Sequence, residues 1–247
     1  MNLLSLTKVI LVEPSGPLNL GSVARLCKNF GVNELRLVNP QCSKFDPEAK
    51  KMAVHGKEIL ENSKTFNSLI DAIADCKRVI ASAGRIEKNS FTCIEPNTAF
   101  EELRKKDNLE CLGLVFGRED RGLSNKELEL AHCVLSIPTE PSYPSLNLSH
   151  AVSIVLNDLK KSFQNKSLED HATTPKESLA SPKDLDNYIL DAEALLLEIG
   201  FLHTHTAKAR MSKIRKLLTR AEIRSQEIAL LRGMVHQIRW AIRSEKD

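Results

Sequence analysis

The chain has 247 residues and a mass of 27.6 kDa, enough for one large α/β domain or a domain of about 150–180 residues with a small appendage. Hydrophobic residues make up 42% and charged residues 27%, which excludes a disordered or collagen-like chain. Net charge is only +3, but from His203 onward eleven Lys/Arg face four Asp/Glu, a bias suited to contact with a polyanion.

Lys8–Val12 is an apolar run closed by a Pro/Gly turn, as a buried parallel strand would be. Asn19–Phe30 places Leu20, Val23, Ala24 and Cys27 at helical spacing and stops at Gly31, a good residue for a left-handed cap. Further strands are expected at Glu34–Val38, Arg78–Ala83, Leu112–Phe116 and Val134–Ile137. Helices are expected between them at Ser68–Asp75, Thr98–Lys105 and Ser124–Ala131. The alternation predicts an α/β fold, a mainly parallel sheet with helices on both faces. A long helix follows from Asn147 to Phe163, with Ala151, Ile154, Val155 and Leu159 on one side.

Residues 164–182 lose the apolar period and gain Ser, Thr, Pro and charge, which predicts a linker. Three helices complete the chain. The first is capped by Ser181 with Asp184 and ends at Gly200; the others cover roughly 206–221 and 225–244. In the second, Ala207, Met211, Ile214 and Leu218 share a face opposite Lys213, Lys216 and Arg220. In the third, Ile228, Leu231, Val235, Ile238 and Ile242 form a seam flanked by Arg232, Arg239 and Arg243, and Trp240 fits the core or a dimer contact, with the core preferred. The expected organisation is thus a domain at 1–163, a linker at 164–182 and a basic helical extension at 183–247.

No apolar run approaches the ~18 residues of a membrane-spanning helix. The N-terminus lacks the basic segment and small-residue cleavage site of a secretory signal, so a cytoplasmic protein with no membrane association is expected. Cys27, Cys42, Cys76, Cys93, Cys111 and Cys133 are widely spaced, and five of them lie in or beside apolar runs, as buried thiols do. Neither a structural disulfide nor a cysteine zinc site is expected, and His203 and His205 have no further ligand nearby.

A parallel sheet invites a dinucleotide site, but the loop after the first strand, EPSGPLNLGSVAR, holds no GxGxxG. The chain contains no P-loop, no GxSxG elbow and no HExxH. Three other segments carry the chemistry. In the first, Asn19 is read as a helix cap, Gly21 as a point of close approach, and Arg25 as lying one turn inside, near the positive helix end. That is a place for an arginine that meets phosphate or a developing oxyanion. In the second, LVFGREDRGLS from Leu114 to Ser124, an apolar strand empties into a loop of two glycines and four charges. In the third, Ile137-Pro138 leads through a Pro-rich loop to Ser145-Leu146-Asn147, where Ser145 or Asn147 caps the long helix. Alone, the first is a weak signal and the third reads more simply as a polar cap on a structural helix, whereas four consecutive charges favour function over a structural turn in the second.

In order along the chain, N-x-G-x-x-x-R, LVFGRE-x-x-G-L and IP…SLNLS-x-A-V resemble the SpoU branch of the SPOUT methyltransferases. Lys213–Ala221 and Ser225–Gly233 are similar to the C-terminal extension of the TrmJ-type tRNA ribose methyltransferases. The resemblance implies a deep trefoil knot, homodimers and S-adenosylmethionine bound within the knot, with no metal. Carried over by position, it implies a cofactor pocket of Ser82, Ala83, Gly84, Gly117, Glu119, Ile137, Ser145, Leu146 and Asn147. Pro144 departs from the pattern by removing an amide donor. It also implies methyl transfer to a ribose 2′-oxygen of tRNA, with the pyrimidine at position 32 as target.

Arg25 is then the catalytic candidate. A guanidinium, with a free pKa above ~12, is a reluctant base, so stabilisation of the alkoxide or of a neighbouring phosphate is the preferred role. Asn19, Ser145 and Asn147 would orient the ribose, and Lys213, Lys216, Arg220, Arg232 and Arg239 would meet tRNA phosphates. Two alternatives stand beside this reading. One is a ribosomal RNA methyltransferase of the same superfamily, disfavoured by the short segment before Lys8. The other is a non-catalytic RNA-binding protein, disfavoured by the presence of Asn19, Arg25, Glu119 and Asn147.

Overall fold

The computed structural model describes residues 3–84, 91–104, 111–164 and 179–244. A one-turn α1 (Leu3–Leu6) leads into β1 (Thr7–Val12), α2 (Pro17–Phe30) and β2 (Glu34–Val38). Short α3 (Pro47–Ala53), α4 (Lys57–Glu61), β3 (Lys64–Phe66) and α5 (Leu69–Ala72) follow. Then come β4 (Arg78–Ser82), β5 (Cys93–Ile94), α6 (Pro96–Arg104), β6 (Leu112–Phe116), α7 (Asn125–Leu128), β7 (Cys133–Leu135) and the long α8 (Leu148–Gln164).

The strands form one sheet in the order β3-β2-β1-β6-β4-β7-β5, and every pairing is parallel. Val9 and Leu11 of β1 pack into one core with α2, α6 and α8; Ile10 and Val12 pack into a second core with α5, on the opposite face. A strand covered on both faces must be apolar at successive positions, which is why β1, β2 and β6 read as runs rather than alternations. Helices on both faces were expected and are found.

Several boundaries move. β3 and β5 were not anticipated, since three and two residues are too few to establish a period. Neither were α1, α3 and α4, although Asp46 before Pro47 caps α3 by accepting from the Glu48 amide. β7 ends at Leu135, leaving Ile137 in the loop beyond it. α7 stops at Leu128 rather than Ala131. Lys105 and the expected linker residues 165–178 lie outside the described residues. Of the six cysteines only Cys27 and Cys76 are buried; Cys42, Cys93, Cys111 and Cys133 are half-buried, which corrects the expectation of five buried thiols.

The chain divides into two compact units, 1–174 and 175–247. In the second, α9 (Pro182–Glu198), α10 (Thr204–Arg220) and α11 (Ser225–Ser244) close around Leu185, Ile189, Ala192, Leu195, Ala207, Met211 and Ile228. Ser181 caps α9 by accepting from the Asp184 amide, as expected. Trp240 is 59% exposed and Ile238 45%, so Trp240 is not a core residue of this unit and Ile238 falls outside the buried part of the seam. The helix explains why: the buried stripe of α11 runs through Ile228 and Val235, and at about 100° per residue Ile238 and Trp240 point about 80° and about 120° away from Ile228. No helix among the described residues is long and apolar enough to cross a membrane.

Candidate active site

β4, β6 and β7 are near neighbours in the sheet order, so the loops leaving their carboxyl ends converge. A cavity of about 460 Å³ opens there. Ser82, Ala83 and Gly84 line it from β4, Gly117 and Glu119 from β6, and Ile137 from beyond β7. Ser145 and Leu146 close it from the segment that returns toward α8, while Asn147 lies just outside the lining. The returning segment touches the β4 exit: a Cβ on Gly84 would stand 3.5 Å from the Pro144 carbonyl oxygen. That oxygen also accepts from Thr139 Oγ1 at 3.3 Å. Phe116, Leu148 and Ala151 complete the apolar wall and were not singled out in the sequence.

A hydrogen-bonded chain joins the segments that follow β1, β6 and β7. Asn147 donates from Nδ2 to Asn19 Oδ1 (2.9 Å), and Asn19 donates from Nδ2 to Glu119 Oε1 (3.3 Å). Glu119 also accepts from the Gly16 amide (3.0 Å) and from the amide and hydroxyl of Ser15 (3.2 Å each). Burial pushes the Glu119 carboxyl up, but these donors outweigh it and hold the group below the usual carboxylate range. Glu119 is therefore a charged acceptor at neutral pH, not a proton-accepting base. Asn147 also caps α8 through Oδ1, which accepts from the Ser149 amide at 2.9 Å. Of the two cap candidates, Asn147 rather than Ser145 fills the role.

Two of the four loop charges point inward. Arg118 donates to both oxygens of Glu13 (2.6 Å each) and to both of Glu127 (2.9 and 3.0 Å), bridging the exit of β1 to α7. Glu13 sits in the left-handed region (φ 48°), and the guanidinium fixes it there. Glu127 also completes a capping box with Ser124. Gly117 is required by backbone contact, since a Cβ would lie 2.3 Å from the Gly122 carbonyl carbon. Glu13, Ser15 and Gly16 were missed; the acidic residue and tight Pro-Ser-Gly-Pro turn directly after the first strand were the available signal.

Two expectations about α2 are corrected. Its cap is Gly16, with Pro17 at the first position, so Asn19 is the third residue of the first turn and its side chain bridges to Glu119 and Asn147 instead of capping. Arg25 consequently lies in the third turn, beyond the field of the helix end. It is exposed, does not line the cavity, and its guanidinium makes no hydrogen bond or ion pair among the described residues. Asn19, Glu119 and Asn147 are brought together; Arg25 stands about 9 Å further along the helix axis.

In the second unit Lys213, Arg220 and Arg232 are exposed. Lys216 is half-buried and engaged, and Arg239 is turned inward, donating to the Asp191 carbonyl (3.2 Å) near Glu198 (3.9 Å). The Arg243 side chain lies outside the described residues.

Residues 7–157 match the SpoU rRNA Methylase family, and residues 183–247 match the tRNA methyltransferase TrmJ C-terminal domain. The tRNA (cytidine/uridine-2′-O-)-methyltransferase TrmJ of Yersinia enterocolitica is 33% identical, over 94% of this chain and 90% of that protein. The crystal structure of TrmJ from Z. mobilis ZM4 superposes with a TM-score of 0.81 at 28% identity, covering 94% of this chain and 99% of that one. The SpoU methyltransferase AviRb from Streptomyces viridochromogenes, solved in complex with AdoMet, shares the fold (TM-score 0.51, 20% identity, 64% of this chain and 58% of that one).

Proposed function

The chain belongs to the SpoU rRNA methylase family, and from that premise we propose that it transfers a methyl group to a ribose 2′-oxygen of tRNA, at a pyrimidine, with position 32 beside the anticodon loop as the target. The observation that carries this reading is the hydrogen-bonded chain from Asn147 through Asn19 to Glu119, which ties the segments after β7, β1 and β6 together beside one cavity.

S-adenosylmethionine fits that cavity. Its volume of about 460 Å³ falls within the few hundred to about a thousand Å³ of small-molecule sites. Ala83, Ile137, Leu146 and Leu148 offer apolar walls for an adenine, while Ser82, Gly84 and Gly117 line the cavity with little or no side chain. When bound, the cofactor supplies an electrophilic methyl on a sulfonium. Ser145, exposed at the cavity, is placed to touch the target ribose. Asn19 and Asn147 have their amides engaged with each other and their neighbours, and act as positioning residues. Glu119 holds the turn before α2 and takes no proton. Arg25, exposed and unengaged, stabilises the developing alkoxide or the adjacent phosphate of an RNA too large to enter the cavity.

The reading includes a cytoplasmic homodimer and a trefoil knot. Support for the knot comes from the return of residues 136–147 from β7 to the exits of β4 and β6. It keeps the sequence organisation too, a catalytic domain at 1–163 and a tRNA-binding extension at 183–247. The test is methyl transfer to bulk tRNA with nucleoside mass spectrometry. A single 2′-O-methylated pyrimidine is expected, and Arg25→Ala should abolish turnover while sparing cofactor binding. Labelling confined to ribosomal RNA would overturn the substrate, and equal loss of turnover and cofactor affinity in Arg25→Ala would overturn its role.

A further inference from the structure

At the amino ends of β1, β4 and β6, the sheet edge opposite the cavity, two thiols meet two cations and a carboxylate. Cys76 Sγ, Cys111 Sγ and an Asp75 oxygen all lie within 4.8 Å of one another. Cys76 is wholly buried and Cys111 half-buried. The Cys111 carbonyl accepts from the Lys77 and Arg78 amides (2.9 and 3.2 Å), which pins it beside the entry of β4. Gly113 leaves room for the buried sulfur, since a Cβ there would stand 3.0 Å from Cys76 Sγ. Arg36 grips both Asp75 oxygens (2.7 and 2.9 Å), and Lys8 donates to Asp75 while standing 3.9 Å from Glu34.

The two thiols are inequivalent. The Cys76 thiol donates to Asp75 Oδ1 at 3.9 Å and lies against Cys111; the neighbouring sulfur, burial and the Asp75 charge push it up. Cys111 lies against Cys76 and feels the Lys8 ammonium, and together these pull it down despite burial. Half-buried Cys111 is the sulfur that a small oxidant can reach, and wholly buried Cys76 is its resolving partner. A divalent cation is poorly matched to the cluster, because Arg36 and Lys8 already neutralise its only carboxylate.

We propose that Cys76 and Cys111 form a peroxide-reactive pair that closes to a reversible disulfide. The Cys111 thiolate attacks hydrogen peroxide; an S–O bond forms, the O–O bond breaks, and the departing hydroxide becomes water. Cys76 then attacks the sulfenic sulfur; the S–S bond forms, the S–O bond breaks, and a second water leaves with the Cys76 proton. Two thiols lose two electrons and two protons, and one peroxide becomes two waters. The five-residue strands β4 and β6 separate this cross-link from the cavity, so oxidised protein retains methyl-transfer activity.

The full-length protein, reduced and then exposed to a small excess of hydrogen peroxide at pH 7, is mapped by non-reducing peptide mass spectrometry. Two of the six thiols should disappear as a linked Cys76–Cys111 peptide, return on treatment with a thiol reductant, and raise Tm while linked. Cys76→Ser should leave a trappable sulfenic acid on Cys111, and Cys111→Ser should leave Cys76 reduced. Lys8→Met should slow linkage about tenfold at pH 7 and far less above pH 9, where the thiolate forms unaided. Retention of all six thiols overturns the proposal, as does oxidation of Cys42 or Cys93 ahead of this pair, or over-oxidation of Cys111 with Cys76 untouched.

Discussion

The loop after β6 shows how far residue chemistry reads from sequence. Four consecutive charges marked it as a ligand loop, and the cavity does lie against it. Yet Arg118 is engaged with Glu13 and Glu127, partners more than a hundred residues back and nine ahead, and no local pattern reveals a pairing of that span. The Arg118 guanidinium beside Glu13 holds that carboxyl below its ordinary range, and at Glu127 burial pushes up but Arg118 and the Ser124 donors together outweigh it. Depressed carboxylates contribute stability that is present above the unfolded value near 4.3 and lost as pH falls through the folded values. Tm should therefore drop as the protein is acidified below about pH 4. Arg118→Met leaves half-buried Glu127 with only Ser124 and Glu13 with only the exposed Arg121, and should cost about 1–3 kcal/mol in urea unfolding at pH 7. The variant should also lose part of the acid sensitivity, because without the Arg118 guanidinium its two carboxylates start less depressed. An unchanged pH profile would show that the clamp contributes nothing to the native state.

Among elements, β1, β2 and β6 were legible because burial on both faces writes itself as an apolar run. β3 and β5 were not: Lys64 and Thr65 are exposed at the sheet edge, and two residues carry no period. α2 was found, but its first turn was misplaced because Asn19 looks like a cap while Gly16-Pro17 performs the entry. Gly21 was read as a point of close approach, and the approaching group proves to be protein: a Cβ there would stand 2.2 Å from the Ala49 carbonyl oxygen of α3. Substituting alanine for glycine within a helix ordinarily stabilises by about 0.5–1 kcal/mol. Gly21→Ala should instead destabilise by about 1–3 kcal/mol, since a backbone carbonyl cannot yield cheaply. Gly233→Ala, on α11 with open space at its Cβ, should show the ordinary gain. Thermal melts of the two variants against the parent chain decide the matter, and shifts of the same sign would refute the packing argument.

At the scale of the whole molecule, composition revealed a basic end but not which cations face solvent. The seam of α11 turns Arg239 onto Asp191, whereas Lys213, Arg220 and Arg232 remain in water. The distinction matters for tRNA, because exposed cations release counterions from the phosphate backbone while an internally paired one does not. Each phosphate contact contributes somewhat less than one to the slope of log affinity against log salt. Replacing Lys213, Arg220 and Arg232 together by Ala in the full chain should flatten that slope by about two and weaken tRNA binding at least tenfold near 0.1 M salt. S-adenosylmethionine affinity should stay unchanged, since none of the three lines the cavity. Arg239→Ala should behave in the opposite way, lowering Tm while leaving the salt slope nearly intact. Filter binding at four or five salt concentrations supplies the slopes. If Arg239→Ala flattened the slope as much as the triple variant, the inward-facing arginine would have to be counted among the phosphate contacts.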